Sequence, residues 1–110
     1  MQIEERLEKI VQVLDANKAE EIETFNLEGS DYMVEGVVVA TALAARHLAA
    51  LIDYLKTDLK PAEEFLHVDV SDEWIVADLG DMLIHVMTKD ARAKYHLESF
   101  LQEFELKKSS

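Results

Sequence analysis

Ile3, Leu7, Ile10, Val11 and Leu14 recur at helical spacing with Glu and Lys between them, so residues 2–17 are expected to form an amphipathic helix ending at Asn17 or Lys18. Residues 21–27 then alternate apolar with polar, the period of a strand buried on one face. Glu28-Gly29-Ser30-Asp31 follows with turn chemistry. The β-branched run Gly36-Val37-Val38-Val39-Ala40-Thr41 has little polarity, as expected of a strand covered on both faces. From Leu43 to Leu59 the period is helical again, with Leu48, Leu51, Ile52, Leu55 and Leu59 on one stripe and Pro61 just beyond it.

The second half reads as three strands and a helix. Glu64-Phe65-Leu66-His67-Val68 and Trp74-Ile75-Val76-Ala77-Asp78-Leu79 are the first two strands, separated by the polar stretch from Asp69 to Glu73. Gly80-Asp81 is a two-residue turn leading into Met82-Leu83-Ile84-His85-Val86-Met87, so an antiparallel pair is expected there. A last helix is predicted from Asp90, a good N-cap, through Tyr95, Leu97, Phe100, Leu101 and Phe104, with residues 105–110 fraying. The order α-β-β-α-β-β-β-α predicts the α/β (mixed α+β) class: a five-stranded mixed sheet with flanking helices. At 110 residues the chain has length for one such domain, taken here as residues 1–110.

Charge changes the picture more than overall composition does. The formal net charge is −12, from 23 acidic and 11 basic side chains, so nucleic acid is not expected as a direct partner and a basic protein surface is. The excess is uneven. Residues 1–35 carry ten acids against three bases, and residues 61–81 carry seven against none. An acidic run is often only a solvated face; the second run differs because it contains Trp74. No apolar run approaches the roughly 20 residues needed to cross a bilayer, and Met1-Gln2-Ile3-Glu4-Glu5 is unlike a secretion signal, so a cytoplasmic protein is expected with no membrane partner. The absence of cysteine excludes disulfides and thiolate chemistry.

Candidate chemistry is sparse. His47, His67, His85 and His96 show no H-x-x-x-H or H-E-x-x-H spacing, and His85, inside an apolar strand, reads as a hydrogen-bonded core residue. Gly29-Ser30-Asp31 faintly resembles the Gly-Ser entry of nucleotidyltransferases. It leads into a strand with no Asp-x-Asp pair, and three glycines are few for a phosphate-cradling loop. We expect no catalytic residue, no metal site and no cofactor. A nucleotidyltransferase-like enzyme and a general dimeric interaction module are the alternatives to a binding protein.

The segment Trp74-Ile75-Val76-Ala77-Asp78-Leu79-Gly80-Asp81-Met82-Leu83-Ile84-His85, continued by Arg92-Ala93-Lys94-Tyr95-His96-Leu97-Glu98, resembles the signature of the Iojap family of ribosomal silencing factors, W-x-x-x-D-x-G-D-x-x-x-H followed by R-x-x-Y-x-L-E. Val38-Val39-Ala40-Thr41 followed by Arg46-His47 resembles the upstream V-I-A-S/T-G-x-S-x-R-H segment, and the family-like core spans residues 20–101. Two stretches depart from the pattern. Glu35-Gly36-Val37 stands where Asp-Tyr-Phe is usual, and Ala42-Leu43-Ala44 replaces Gly-x-Ser.

The resemblance implies a domain shaped like a nucleotidyltransferase without its catalytic carboxylates. It also implies binding to the large ribosomal subunit through protein uL-fourteen, steric exclusion of the small subunit with repression of translation, and a capacity to form homodimers when free. On that reading Trp74, Asp72, Glu73, Asp78, Asp81, Tyr95 and Glu98 are the candidate partner-binding residues. The indole would be the apolar anchor and the carboxylates would meet Lys or Arg. Several of these also have a structural reading: core packing for Trp74, turn chemistry for Asp78 and Asp81 together with Gly80, and helix anchoring for Tyr95.

Overall fold

The structure, a computed structural model, describes residues 2–107, with side chains as far as Glu105. Helix α1 (Ile3–Ala16) precedes strands β1 (Glu20–Asn26) and β2 (Gly36–Ala42), and helix α2 (Ala45–Asp58) precedes β3 (His67–Val70), β4 (Trp74–Asp78) and β5 (Met82–Thr88). Two helices, α3 (Lys89–Tyr95) and α4 (Leu97–Lys107), close the fold. The strands form one mixed sheet in the order β1-β2-β5-β4-β3. Only β2 and β5 run parallel, with Val38 opposite Ile84 and Ala40 opposite Val86. Among the described residues no helix is long and apolar enough to cross a membrane.

Strand alternation divides the core into two layers. Val38, Ala40, Ile75, Ala77, Ile84 and Val86 face α1 and α2, where Leu7, Ile10, Leu14, Leu48, Leu51 and Leu55 are buried. Val37, Val39, Phe25 and Met87 face the other way, against Ala91 and Leu101. Every residue of β2 is therefore buried, which explains why it is apolar throughout except at Thr41. β4 alternates between buried and half-exposed positions, because α3 and α4 lean on β1, β2 and β5 instead.

Four sequence expectations need correction. The third strand was placed at residues 64–68 and lies at His67–Val70. Pairing with β4 sets its position, Asp69 lying opposite Val76 and Val70 opposite Ile75, so residues assigned to a polar loop are in the ladder. The apolar residues that suggested the earlier start serve elsewhere: Phe65 packs on the core from outside the strand, while Glu63 turns inward. The last helix was expected as one element and is two. His96 adopts a left-handed conformation (φ 48°) and its N–H bonds to the Arg92 carbonyl, which ends α3. The N-cap is Thr88 rather than Asp90: its hydroxyl accepts from the Ala91 N–H at 3.2 Å. α4 then continues to Lys107, so residues 105–107 are helical; the remainder of the expected frayed tail, 108–110, lies outside the described residues.

α2 begins at Ala45 with Ala44 as an extended N-cap residue that provides no side-chain hydrogen bond. His47, three residues into the helix, reaches back instead. Its Nδ1 accepts from the Leu43 N–H at 2.9 Å, and its Nε2 lies 2.9 Å from the Asn17 carbonyl at the end of α1. With Nδ1 accepting, the ring proton sits on Nε2 and donates to Asn17, so one imidazole ties the end of α1 to the start of α2.

Candidate docking face

The uncovered half of the sheet is built outward from β4. Ile75 and Ala77 point into the core beneath α2, which turns Trp74, Val76 and Asp78 to the opposite side, where all three are half-exposed. A tight turn, Ser71-Asp72-Glu73-Trp74, joins β3 to β4 at this edge. The Ser71 hydroxyl donates to the Trp74 carbonyl at 2.8 Å and accepts from the Trp74 N–H at 3.2 Å, and Asp72 and Glu73 are exposed at the tip. Asp69, Val70, Ser71, Trp74 and Val76 line a shallow cup there, and Val70 is 72% exposed.

The Trp74 indole is held from two sides. Its Nε1–H donates to Nδ1 of His85 at 3.0 Å, and its ring lies 5.0 Å from that of Tyr95 at 43°. Tyr95 is brought there by the end of α3, and Lys94 Nζ lies 5.3 Å from the centre of its ring. His85 is buried on β5, and burial pushes its imidazole down to about 4.

The structure therefore brings Asp72, Glu73, Trp74 and Tyr95 to one edge, and it gives the other three candidates framework contacts. Asp78 Oδ1 accepts from the Gly80 N–H at 2.8 Å, stabilising the hairpin turn in which Gly80 has φ +94°. Asp81, considered for that turn role, instead receives Arg6 of α1. The guanidinium donates to both Asp81 oxygens (2.6 and 2.9 Å) and to both Glu63 oxygens (2.8 and 2.7 Å). The two carboxylates hold Arg6 above its usual range, and Arg6 holds Asp81 below the usual carboxylate range. Glu98 Oε1 lies 3.5 Å from Arg92 Nε, behind the docking edge.

Residues 1–109 match the family model described as "Ribosomal silencing factor during starvation". The chain belongs to the ribosomal silencing factor family. The silencing factor RsfS of Haemophilus influenzae is 33% identical over 95 residues, which is 84% of this chain and 93% of that protein. A mouse protein named "Mitochondrial assembly of ribosomal large subunit protein 1" is 24% identical over 98 residues, 84% of this chain and 43% of that one. A solved structure from Chromobacterium violaceum is similar at a TM-score of 0.84 and 26% identity, covering 93% of this chain and 88% of that one.

In this silencing factor, sequence reasoning missed two framework residues, Arg6 and Arg92, whereas His85, expected as a hydrogen-bonded core residue, is one. Arg92 is buried. Its Nη1 donates to the Glu21 carbonyl and to Thr41 Oγ1 (3.0 Å), and its Nη2 lies 3.2 Å from Glu23. The register of β1 shifts between Glu20 and Glu23, with Glu21 at positive φ (47°), so the Glu21 carbonyl is turned out of the ladder and available to Arg92. Arg92 thereby clamps α3 to the β1–β2 edge, and α3 in turn carries Tyr95 to Trp74. The signal for it was the opening Arg of the R-x-x-Y-x-L-E segment, whose first and last residues are near each other in space. Among the described residues, no three His, Asp or Glu side chains are grouped to hold a metal ion.

Proposed function

We propose that this silencing factor binds the large ribosomal subunit through protein uL-fourteen by the face around Trp74, and that its bulk then keeps the small subunit from joining. Translation is damped in the cytoplasm without a bond being made or broken. The observation that carries this reading is the half-exposed Trp74, in tilted contact with Tyr95 at the uncovered half of an otherwise layered sheet. Aromatic side chains in partly desolvated surroundings are the usual anchors of protein interfaces. Asp72 and Glu73 stand exposed beside it in a stretch that has no Lys or Arg, which suits a basic partner and favours rapid encounter. Asp78 shares the outward side of β4 with Trp74, and Asp81 and Glu98 are tied up in framework contacts with Arg6 and Arg92.

Sedimentation of dissociated subunits with added protein tests the proposal. The protein is expected to travel with large subunits and to reduce the yield of joined ribosomes. If it stays at the top of the gradient, or if subunits join freely in its presence, the proposal fails. Trp74→Ala is expected to weaken binding by about 2 kcal/mol, roughly thirtyfold, while the free domain stays folded. Unchanged affinity would make Trp74 a structural residue only.

A further inference from the structure

Met82, Leu83, Ile84, Val86 and Met87 make β5 apolar up to its terminal Thr88 except at His85, which is 7% exposed. Its Nδ1 accepts the Trp74 N–H, which places the ring proton on Nε2, and that buried Nε2 has no hydrogen-bond partner among the described residues. A buried donor left unsatisfied is destabilising, so a leucine or methionine would pack here at lower cost. What the histidine adds is an acceptor under the indole. His85 sits directly across from Val76 and diagonal to Trp74, which pairs with Met87, so its ring can reach the indole nitrogen from the neighbouring strand. The imidazole and indole ring centres are 5.7 Å apart, and the Tyr95 ring centre lies 5.0 Å from the indole. Burial keeps the imidazole neutral, which preserves Nδ1 as an acceptor at neutral pH.

We propose that His85 is a positioning residue for the docking face: by taking the Trp74 N–H it fixes the indole against Tyr95, so that Trp74 offers a partner its carbon surface and no hydrogen bond. The inference rests on the proposed docking role of Trp74, and it makes a separate claim about how that side chain works. A free indole N–H would seek water or a partner acceptor, and the ring would sample several rotamers. Fixing it beforehand removes an ordering cost at the moment of binding. The anchor then contributes apolar contact, so a phenyl ring at position 74 should replace much of it.

The test uses the whole chain, purified large subunits and the fluorescence of Trp74, the only tryptophan in the sequence. His85→Leu is expected to leave the circular dichroism unchanged, to make Trp74 more accessible to acrylamide quenching, and to weaken large-subunit binding about fivefold, the equivalent of one hydrogen bond. His85→Asn, whose Oδ1 can occupy the place of Nδ1, should restore both readouts toward the wild type. In a Trp74→Phe background, which has no indole N–H, His85→Leu should have no further effect on binding. The proposal is overturned if His85→Leu leaves quenching and affinity unchanged, or if it weakens binding equally with and without the indole. Should His85→Leu fail to fold, His85→Met, apolar and more adaptable in shape, replaces it in both comparisons. Failure of the wild type to bind large subunits would refute the docking reading itself, whereas binding that depends on Trp74 but not on His85 refutes only the positioning role.

Discussion

Ala44 occupies the N-cap of α2 with extended backbone (φ −160°, ψ 168°) and no side chain able to accept a hydrogen bond. The first turn of a helix leaves N–H groups without intrahelical partners, and a serine at this position can satisfy one of them. The surrounding geometry is already that of a cap: the Ala44 carbonyl accepts from the His47 N–H at 3.0 Å and from the Leu48 N–H at 3.3 Å, and Ala44 is exposed, so a hydroxyl fits without repacking. Ala44→Ser should therefore stabilise the domain by about 1 kcal/mol. Against a total of roughly 5–15 kcal/mol for a domain of this size, that is a visible fraction, and it corresponds to a rise in melting temperature of about 4 °C. Urea denaturation followed by far-ultraviolet circular dichroism is the assay. The midpoint should rise with the slope unchanged, since the surface exposed on unfolding stays the same. Ala44→Val, which adds bulk but no acceptor, should not rise. If serine gives no gain, or valine gives as much, the capping argument is wrong.

Two further outcomes follow from buried charge. Arg6→Met should destabilise the protein by about 3 kcal/mol or more, because it strands Glu63, 7% exposed, and unties Asp81; a loss below about 1 kcal/mol in urea titration would show that water solvates the pair. His85 has its imidazole pushed down from 6.5 to about 4 in the folded chain, so between those values the unfolded chain binds the extra proton and stability rises with pH. Its contribution is complete above pH 6.5 and lost as pH falls toward 4, on the order of 3 kcal/mol in all. His85→Asn should flatten that part of the stability curve measured from pH 4 to 7, and an unaltered slope would assign it to other groups.

Periodicity made much of the fold legible because burial alone dictates it. β2 lies under helices on both faces and reads as a continuous apolar run, and β4, covered on one face, reads as an alternation. β3 was misplaced because its position follows from register with β4, and the strongest apolar residues nearby, Phe65 and Leu66, precede the strand. The break at His96 left no mark either, since the apolar spacing from Tyr95 to Phe104 continues through it and the left-handed residue is not a glycine. Of the candidate surface, Trp74 and Tyr95 were recognised as the two large aromatic residues of one signature, and they meet. The partner of Asp81 was out of reach of any local pattern, because Arg6 is 75 positions away in sequence.

The strand order has a consequence for how the chain acquires its structure. β1 with β2, and the meander β3-β4-β5, are built from sequence neighbours that can pair locally, while the parallel pairing of β5 with β2 joins distant parts of the chain. Until that seam closes, β2 and β5 each present an open edge. The parallel seam is thus the long-range step on which assembly of this domain turns, and the moment before it closes is the most aggregation-prone.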